Sequence, residues 1–218
     1  MTLYQESLID KLTDKMQLDM QPEIVPVKTE SFSRPLQCYS NVAEKIKIDG
    51  GKIHYGWSVH ITDILCEAER HAVWENNDEE LLCVTPNPSD KNEIIFLSDD
   101  RFVDPNEQID NVRTNITNNP LVNDFIFICE AIGDLWNRFT SRKDDEQVIA
   151  STPVIETIDK YEQYKGLIYG LIVKGRKERS ECFCGSGKKY LVCHSKTLKT
   201  IIPKEVKGLE EFLIKNGK

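Results

Sequence analysis

KIHYGWSVHI, residues 52–61, is rich in β-branched and aromatic side chains and opens a run of strand-like segments. CEAERHAVW (66–74), ELLCVTP (80–86) and EIIFL (93–97) follow it in order. The breaks between them are Thr62-Asp63, Asn76-Asn77-Asp78 and Asn87 to Asn92, all residues with turn chemistry. Four strands with short connections predict a small antiparallel β-meander. Helical patterns flank it, so the fold class expected is α+β.

Upstream, Leu8, Leu12 and Met16 recur at i, i+4 and i+8, with Ile9 beside them, which predicts a short amphipathic helix over residues 3–18. Pro22 and Pro26 punctuate an extended stretch. Residues 41–48 read as a second helix, with Asn41 as N-cap, Glu44 three residues on, and Gly50-Gly51 as the stop. Downstream, Asp99 to Asn119 is polar and reads as loop. A helix over about 121–139 places Val122, Phe125, Ile126, Cys129, Ile132 and Trp136 on one stripe, and another covers about 154–173. Ser141 to Gln147 between them is charged and expected to be exposed. The division expected is a meander domain over 1–104, a helical segment over 105–177, and a C-terminal module over 178–218.

Composition bounds the class. The chain has 218 residues, 39% of them hydrophobic and 29% charged, enough apolar content to bury a core. No apolar run approaches the ~20 residues of a membrane span, so no membrane partner is expected. The start MTLYQESLIDKLTDK lacks the apolar core of a secretory signal, so a cytoplasmic location is expected. There the seven cysteines would stay reduced, and an odd number argues against a fully paired disulfide framework. The net charge of −8 is unevenly spread: from Lys174 onward there are 12 Lys+Arg against 5 Asp+Glu, a net +7, which leaves −15 on the rest. An acidic body with a basic tail would attract nucleic acid through the tail only.

CFCGSGKKYLVCHS, residues 182–195, carries the most specific chemistry. Cys182, Cys184, Cys193 and His194 supply three thiolates and an imidazole, a closed tetrahedral set for Zn2+ that leaves no position for water. Gly185 and Gly187 allow the chain to curl between the two ligand pairs, and Tyr190 offers an aromatic cover. Such a site is expected to be structural. The stretch resembles the SEC-C motif, the zinc-binding tail of the SecA preprotein-translocation motor, at Cys182, Cys184, Gly185, Ser186, Gly187, Tyr190, Cys193 and His194, with Arg176, Lys177 and Arg179 before it. The resemblance covers about a tenth of the chain. It implies an appendage of a kind found on otherwise unrelated bacterial proteins, one that docks a protein or ribosomal partner. The chain has no GxxxxGK[ST] phosphate loop, so nothing else in it resembles the motor.

A looser constellation precedes the zinc motif. Cys38, in RPLQCYSNVAEKI, sits at or just before a predicted helix start, a position that lowers a thiol pKa. His71 lies on the strand EAERHAVW. This order is similar to that of papain-like cysteine hydrolases, in which the histidine deprotonates the cysteine and a third group orients the ring. The segment also resembles the N-terminal region of other SEC-C-bearing bacterial and phage proteins, through Cys38-x-x-Asn41-Val42, Gly50-Gly51, Tyr55-Gly56-Trp57 and Glu67-Ala68-Glu69-x-His71-Ala72-Val73-Trp74. The returning strand would bring Cys83, Val84 or Thr85 nearest the ring, none of them a carboxylate; Asn87, Glu67 or Glu69 could assist. The alternative is a hydrogen-bonded core histidine and a buried thiol. Cys66, Cys83 and Cys129 lie in apolar runs and are expected in the core, as are Tyr55, Trp57 and Trp74. His54 and His60 are expected to face solvent or a loop. Two functions therefore stand: a zinc-binding interaction protein, or a cysteine hydrolase targeted by its zinc knuckle.

Overall fold

The computed structural model describes residues 1–87, 91–101, 109–142 and 148–215. These form two compact units, Met1–Ile116 and Thr117–Lys218. The boundary expected near residue 104 lies outside the described residues.

The first unit runs α1 (Leu3–Met16), β1 (Glu23–Pro26), α2 (Cys38–Asp49), β2 (Lys52–Ile61), β3 (Leu65–Glu75), β4 (Leu81–Leu82), β5 (Glu93–Ser98) and β6 (Val112–Asn115). It is the α+β arrangement expected, with an antiparallel sheet. β2, β3 and β4 follow one another as a meander. β5 does not continue it but returns to the free side of β2, and β1 then pairs with β5, giving the order β1-β5-β2-β3-β4. β6 lies in the stretch expected to be loop and pairs with the start of β3, Leu65 opposite Asn115. The sheet curls until β1 and β4 meet at a parallel bridge between Val27 and Cys83. Two backbone bonds hold that seam, Cys83 N–H to the Pro26 carbonyl and Lys28 N–H to the Cys83 carbonyl, each 2.9 Å.

Strand alternation then decides what lies where. Trp57 and Val59 of β2 share a face with Cys66, Ala68, Ala72 and Trp74 of β3, because directly opposed residues point the same way. Both helices cover this face. α1 lays Leu8, Ile9 and Leu12 on Trp57, Val59, Cys66, Ala68 and Leu97. Fully burying three such side chains contributes about 1.5–3 kcal/mol each. α2 lays Cys38 and Val42 on Ala72 and Val84. The other face closes on Val25, Val73, Cys83, Ile94 and Phe96.

The helix ends have local causes. Thr2 and Gln5 form a reciprocal capping box at α1. Arg101 holds the other end, its guanidinium donating to the Met16 and Gln17 carbonyls while paired with buried Asp99, which also accepts from the Trp57 indole at 2.8 Å. α2 begins three residues earlier than the sequence reading places it. Asn41 is therefore not its cap but a buried side chain inside it. The Asn41 amide accepts from Arg34 N–H and donates to the Arg34 carbonyl and to Thr85 Oγ1, at 2.9, 2.8 and 3.1 Å. Gly50 and Gly51 end the helix as expected, at φ 73° and 79°. A Cβ on Gly51 would sit 2.3 Å from the Glu75 carbonyl, so the close turn into β2 excludes other residues.

In the second unit, α3 (Pro120–Phe139), β7 (Thr140–Arg142), β8 (Val148–Ala150) and α4 (Thr152–Val173) lead to α5 (His194–Lys215). Asn119 caps α3 and Pro120 occupies its first turn. The stripe buries Leu121, Val122, Ile126, Ile128, Ile132 and Leu135, while Phe125, Cys129 and Trp136 are half-buried at its flank. The charged connection between the helices begins and ends as the β7–β8 hairpin; residues 143–147 lie outside the described residues. α5 docks on α4 through Glu205, which accepts from Tyr161 Oη at 2.9 Å and pairs with Lys160. No described helix is long and apolar enough to cross a membrane.

Candidate metal centre

The four predicted ligands come together. After α4 the chain forms a small hairpin in which Glu181 bridges Lys189 and Cys182 N–H donates to the Lys188 carbonyl at 2.9 Å. Gly185 and Gly187, both at positive φ (73° and 71°), make its tip. A 3₁₀ turn over Tyr190–Val192 then delivers Cys193, and His194 is the first residue of α5. The ligand atoms of Cys182, Cys184, Cys193 and His194 all lie within 4.8 Å of one another. Cys184 Sγ is 3.7 Å from Cys193 Sγ, and His194 Nδ1 is 3.0 Å from Cys182 Sγ and 3.4 Å from Cys193 Sγ. A tetrahedral zinc with bonds of ~2.3 Å to sulfur and ~2.0 Å to nitrogen spaces its ligands by roughly 3.5–3.8 Å, so the set fits. Nδ1, not Nε2, is the nitrogen turned to the sulfurs.

The surroundings fix these groups. The imidazole packs 4.4 Å from the Phe183 ring and 6.0 Å from that of Tyr164 on α4. Ser186 Oγ lies 3.1 Å from Cys184 Sγ, and its hydroxyl and backbone bonds hold that thiol down at about 7. Burial lowers the His194 pKa, which keeps the ring neutral and able to bind a cation. Tyr190 is fully buried. Its hydroxyl is held neutral by burial and by the Asp124 carboxylate of α3, which also pairs with Lys199 of α5 at 2.7 Å. The knuckle runs directly into α5 through His194 and sinks the Tyr190 ring fully out of solvent. Among the described residues this group can hold a metal ion, and its four protein ligands leave no open position for catalysis.

The structure does not bring Cys38 and His71 together. They meet β3 on opposite sides. Cys38 packs on Ala72, and His71, one residue earlier, turns to the other face. There its Nε2 lies 3.3 Å from Cys83 Sγ, whose thiol faces the Thr85 carbonyl at 3.6 Å. Burial pushes the Cys38 thiol up to about 11, outweighing the backbone bonds from Ala72 and Tyr39 that favour thiolate. Burial likewise brings His71 down to about 4, against the pull of Glu69. Both groups are held neutral, the reverse of an activated thiolate–imidazolium pair. Of the assisting residues considered, Glu69 faces His60 at 3.4 Å and Glu67 pairs with Arg113 at 2.7 Å.

His54 does not simply face solvent: it is bonded on both ring nitrogens, to Glu75 and to Ser98. Those three residues come from three strands, and periodicity within any one strand gives no sign of them.

No family model matches the chain, and no curated protein or solved structure matches it.

Proposed function

We propose that the chain is a cytoplasmic zinc-binding docking protein whose C-terminal knuckle presents a basic surface to a protein or ribosomal partner. The observation that carries this reading is the closed Cys182, Cys184, Cys193, His194 set with His194 as the first residue of α5. An ion there would order a recognition surface and perform no chemistry of its own. The SEC-C resemblance supports zinc as the ion. Lys188, Lys189, Lys196 and Lys204 are exposed on the knuckle and along α5, with Leu191 and Val192 exposed beside them. This mixture of cations and apolar groups suits a partner that is acidic and partly apolar. The acidic remainder of the chain would be repelled by the same partner.

Ribosome co-sedimentation of the full chain tests the reading, with and without a zinc chelator and at low and moderate salt. Zinc-dependent pelleting that weakens steeply with salt is expected, because counterions are released on binding. Lys196→Glu with Lys204→Glu should weaken it further. Pelleting that ignores chelator, salt and charge reversal contradicts the proposal. Absence of pelleting under all conditions moves the partner from the ribosome to an acidic protein.

A further inference from the structure

Three strands of the first unit converge at the end of the sheet face that carries Val25, Val73 and Phe96. His54 projects from β2, Glu75 ends β3 and Ser98 ends β5. His54 Nε2 lies 2.9 Å from Ser98 Oγ, and His54 Nδ1 lies 2.7 Å from Glu75 Oε2. The second Glu75 oxygen pairs with Lys52 Nζ at 2.9 Å. Glu75 is almost fully buried, while His54 keeps part of its ring in solvent.

The proton positions follow. Glu75 is ionised, held below the usual carboxylate range by Lys52 and His54. A carboxylate at 2.7 Å requires a proton on Nδ1. In the neutral ring Nε2 is then the bare nitrogen, and it accepts from the Ser98 hydroxyl. Hydroxyl, imidazole and carboxylate thus stand in a continuous hydrogen-bonded line.

We propose that Ser98, His54 and Glu75 form an acyl-transfer triad acting on small esters. Ser98 Oγ bonds to the carbonyl carbon as its proton passes to His54 Nε2 and the carbonyl π pair moves onto oxygen. The carbonyl re-forms, the bond to the alkoxy group breaks, and the departing alkoxide takes the proton from Nε2. Water, giving a proton to the same nitrogen, attacks the acyl-serine; the carboxylic acid leaves and Oγ regains its proton. Glu75 keeps Nδ1–H throughout and stabilises the imidazolium. Glu23 on β1 offers Oε1 as a second acceptor for the Ser98 hydroxyl at 3.4 Å, a longer contact than the 2.9 Å to His54 Nε2. That carboxylate repels an acidic acyl group, so the ester is neutral or cationic. General-base assistance of this kind is worth about 10²–10⁴-fold.

The probe is p-nitrophenyl acetate with the zinc-loaded full chain, read by nitrophenol release and by mass mapping of the acetylated peptide. Acetyl on Ser98 is expected. His54→Gln should slow its formation at least about tenfold, and Ser58→Ala, at a buried serine of β2, should leave it unchanged. Acetylation confined to lysines or cysteines, or Ser98 acetylation at the same rate in His54→Gln, overturns the proposal. Ser98→Cys guards against a folding artefact: alkylation of the new thiol by iodoacetamide should be faster with His54 than with His54→Gln. Equal rates in the two backgrounds also overturn it.

Discussion

His71 places Nε2 3.3 Å from the sulfur of Cys83, inside the curl of the sheet, while the Cys38 thiol sits one strand residue away on the outside. A strand alternates its side chains with a period of two, so Ala72 and His71 cannot serve the same face. The helix carrying Cys38 packs on the Ala72 side.

Cys38 should therefore behave as a core thiol. Its pKa is pushed up to about 11, as is that of Cys66. Iodoacetamide near neutral pH, followed by peptide mapping of native protein, should label both slowly. His71→Ala should leave the Cys38 rate unchanged within about twofold. A fast Cys38 that slows when His71 is removed reverses the conclusion.

The buried His71 ring should make the first unit acid-sensitive. Its pKa falls from 6.5 to about 4 on folding, so the unfolded chain binds the extra proton between those values. Stability is then complete above the unfolded value and declines as pH falls toward the folded one. Glu69, His60 and Cys83 are the titratable groups around the ring. The total loss is on the order of 3 kcal/mol. Urea unfolding midpoints of wild type and His71→Gln across that window check this: the variant should show a flatter dependence. Parallel curves refute it.

Protein purified without chelator should carry about one zinc per chain. Chelation should reduce helical circular dichroism, because α5 starts at a ligand. Cys184→Ser should lower zinc affinity at least about tenfold. Near-zero metal by elemental analysis, or unchanged affinity in the variant, counts against the site.

Asn41→Ala should destabilise the first unit by about 1–3 kcal/mol. It removes three hydrogen bonds and leaves the Arg34 backbone and Thr85 hydroxyl without that partner. Thermal unfolding measures it. A change under 0.5 kcal/mol, roughly the scatter for surface substitutions, would mean that water replaces the amide at little cost.

The Cys/His cluster was readable because its four residues fall between Cys182 and His194, so local spacing specifies it. The strands β2, β3 and β5 were readable too, since alternation and turn residues are local signals, whereas β6 fell in a polar stretch read as loop and takes its strand form only by pairing with β3. Asn41 misled for the same reason: with Glu44 three residues on, it matches a cap by local rules, while its real partners, Arg34 and Thr85, are fixed by tertiary packing. The His54, Glu75 and Ser98 line depends on the register of β2 against both β3 and β5, which no single strand encodes. Burial also reversed a local expectation at Cys38, where the low-pKa tendency of a helix start loses to desolvation.

The seam between β1 and β4 has a meaning for solubility. A strand at the border of an open sheet offers its amides and carbonyls to any passing chain, and aggregation begins there. Here the two borders spend those groups on each other, at Pro26, Lys28 and Cys83. Pro26, lacking an N–H, also blunts the border it occupies. Among the described residues two backbone bonds close the ring, so a fluctuation that parts them turns a self-contained sheet into a template for strand exchange between molecules.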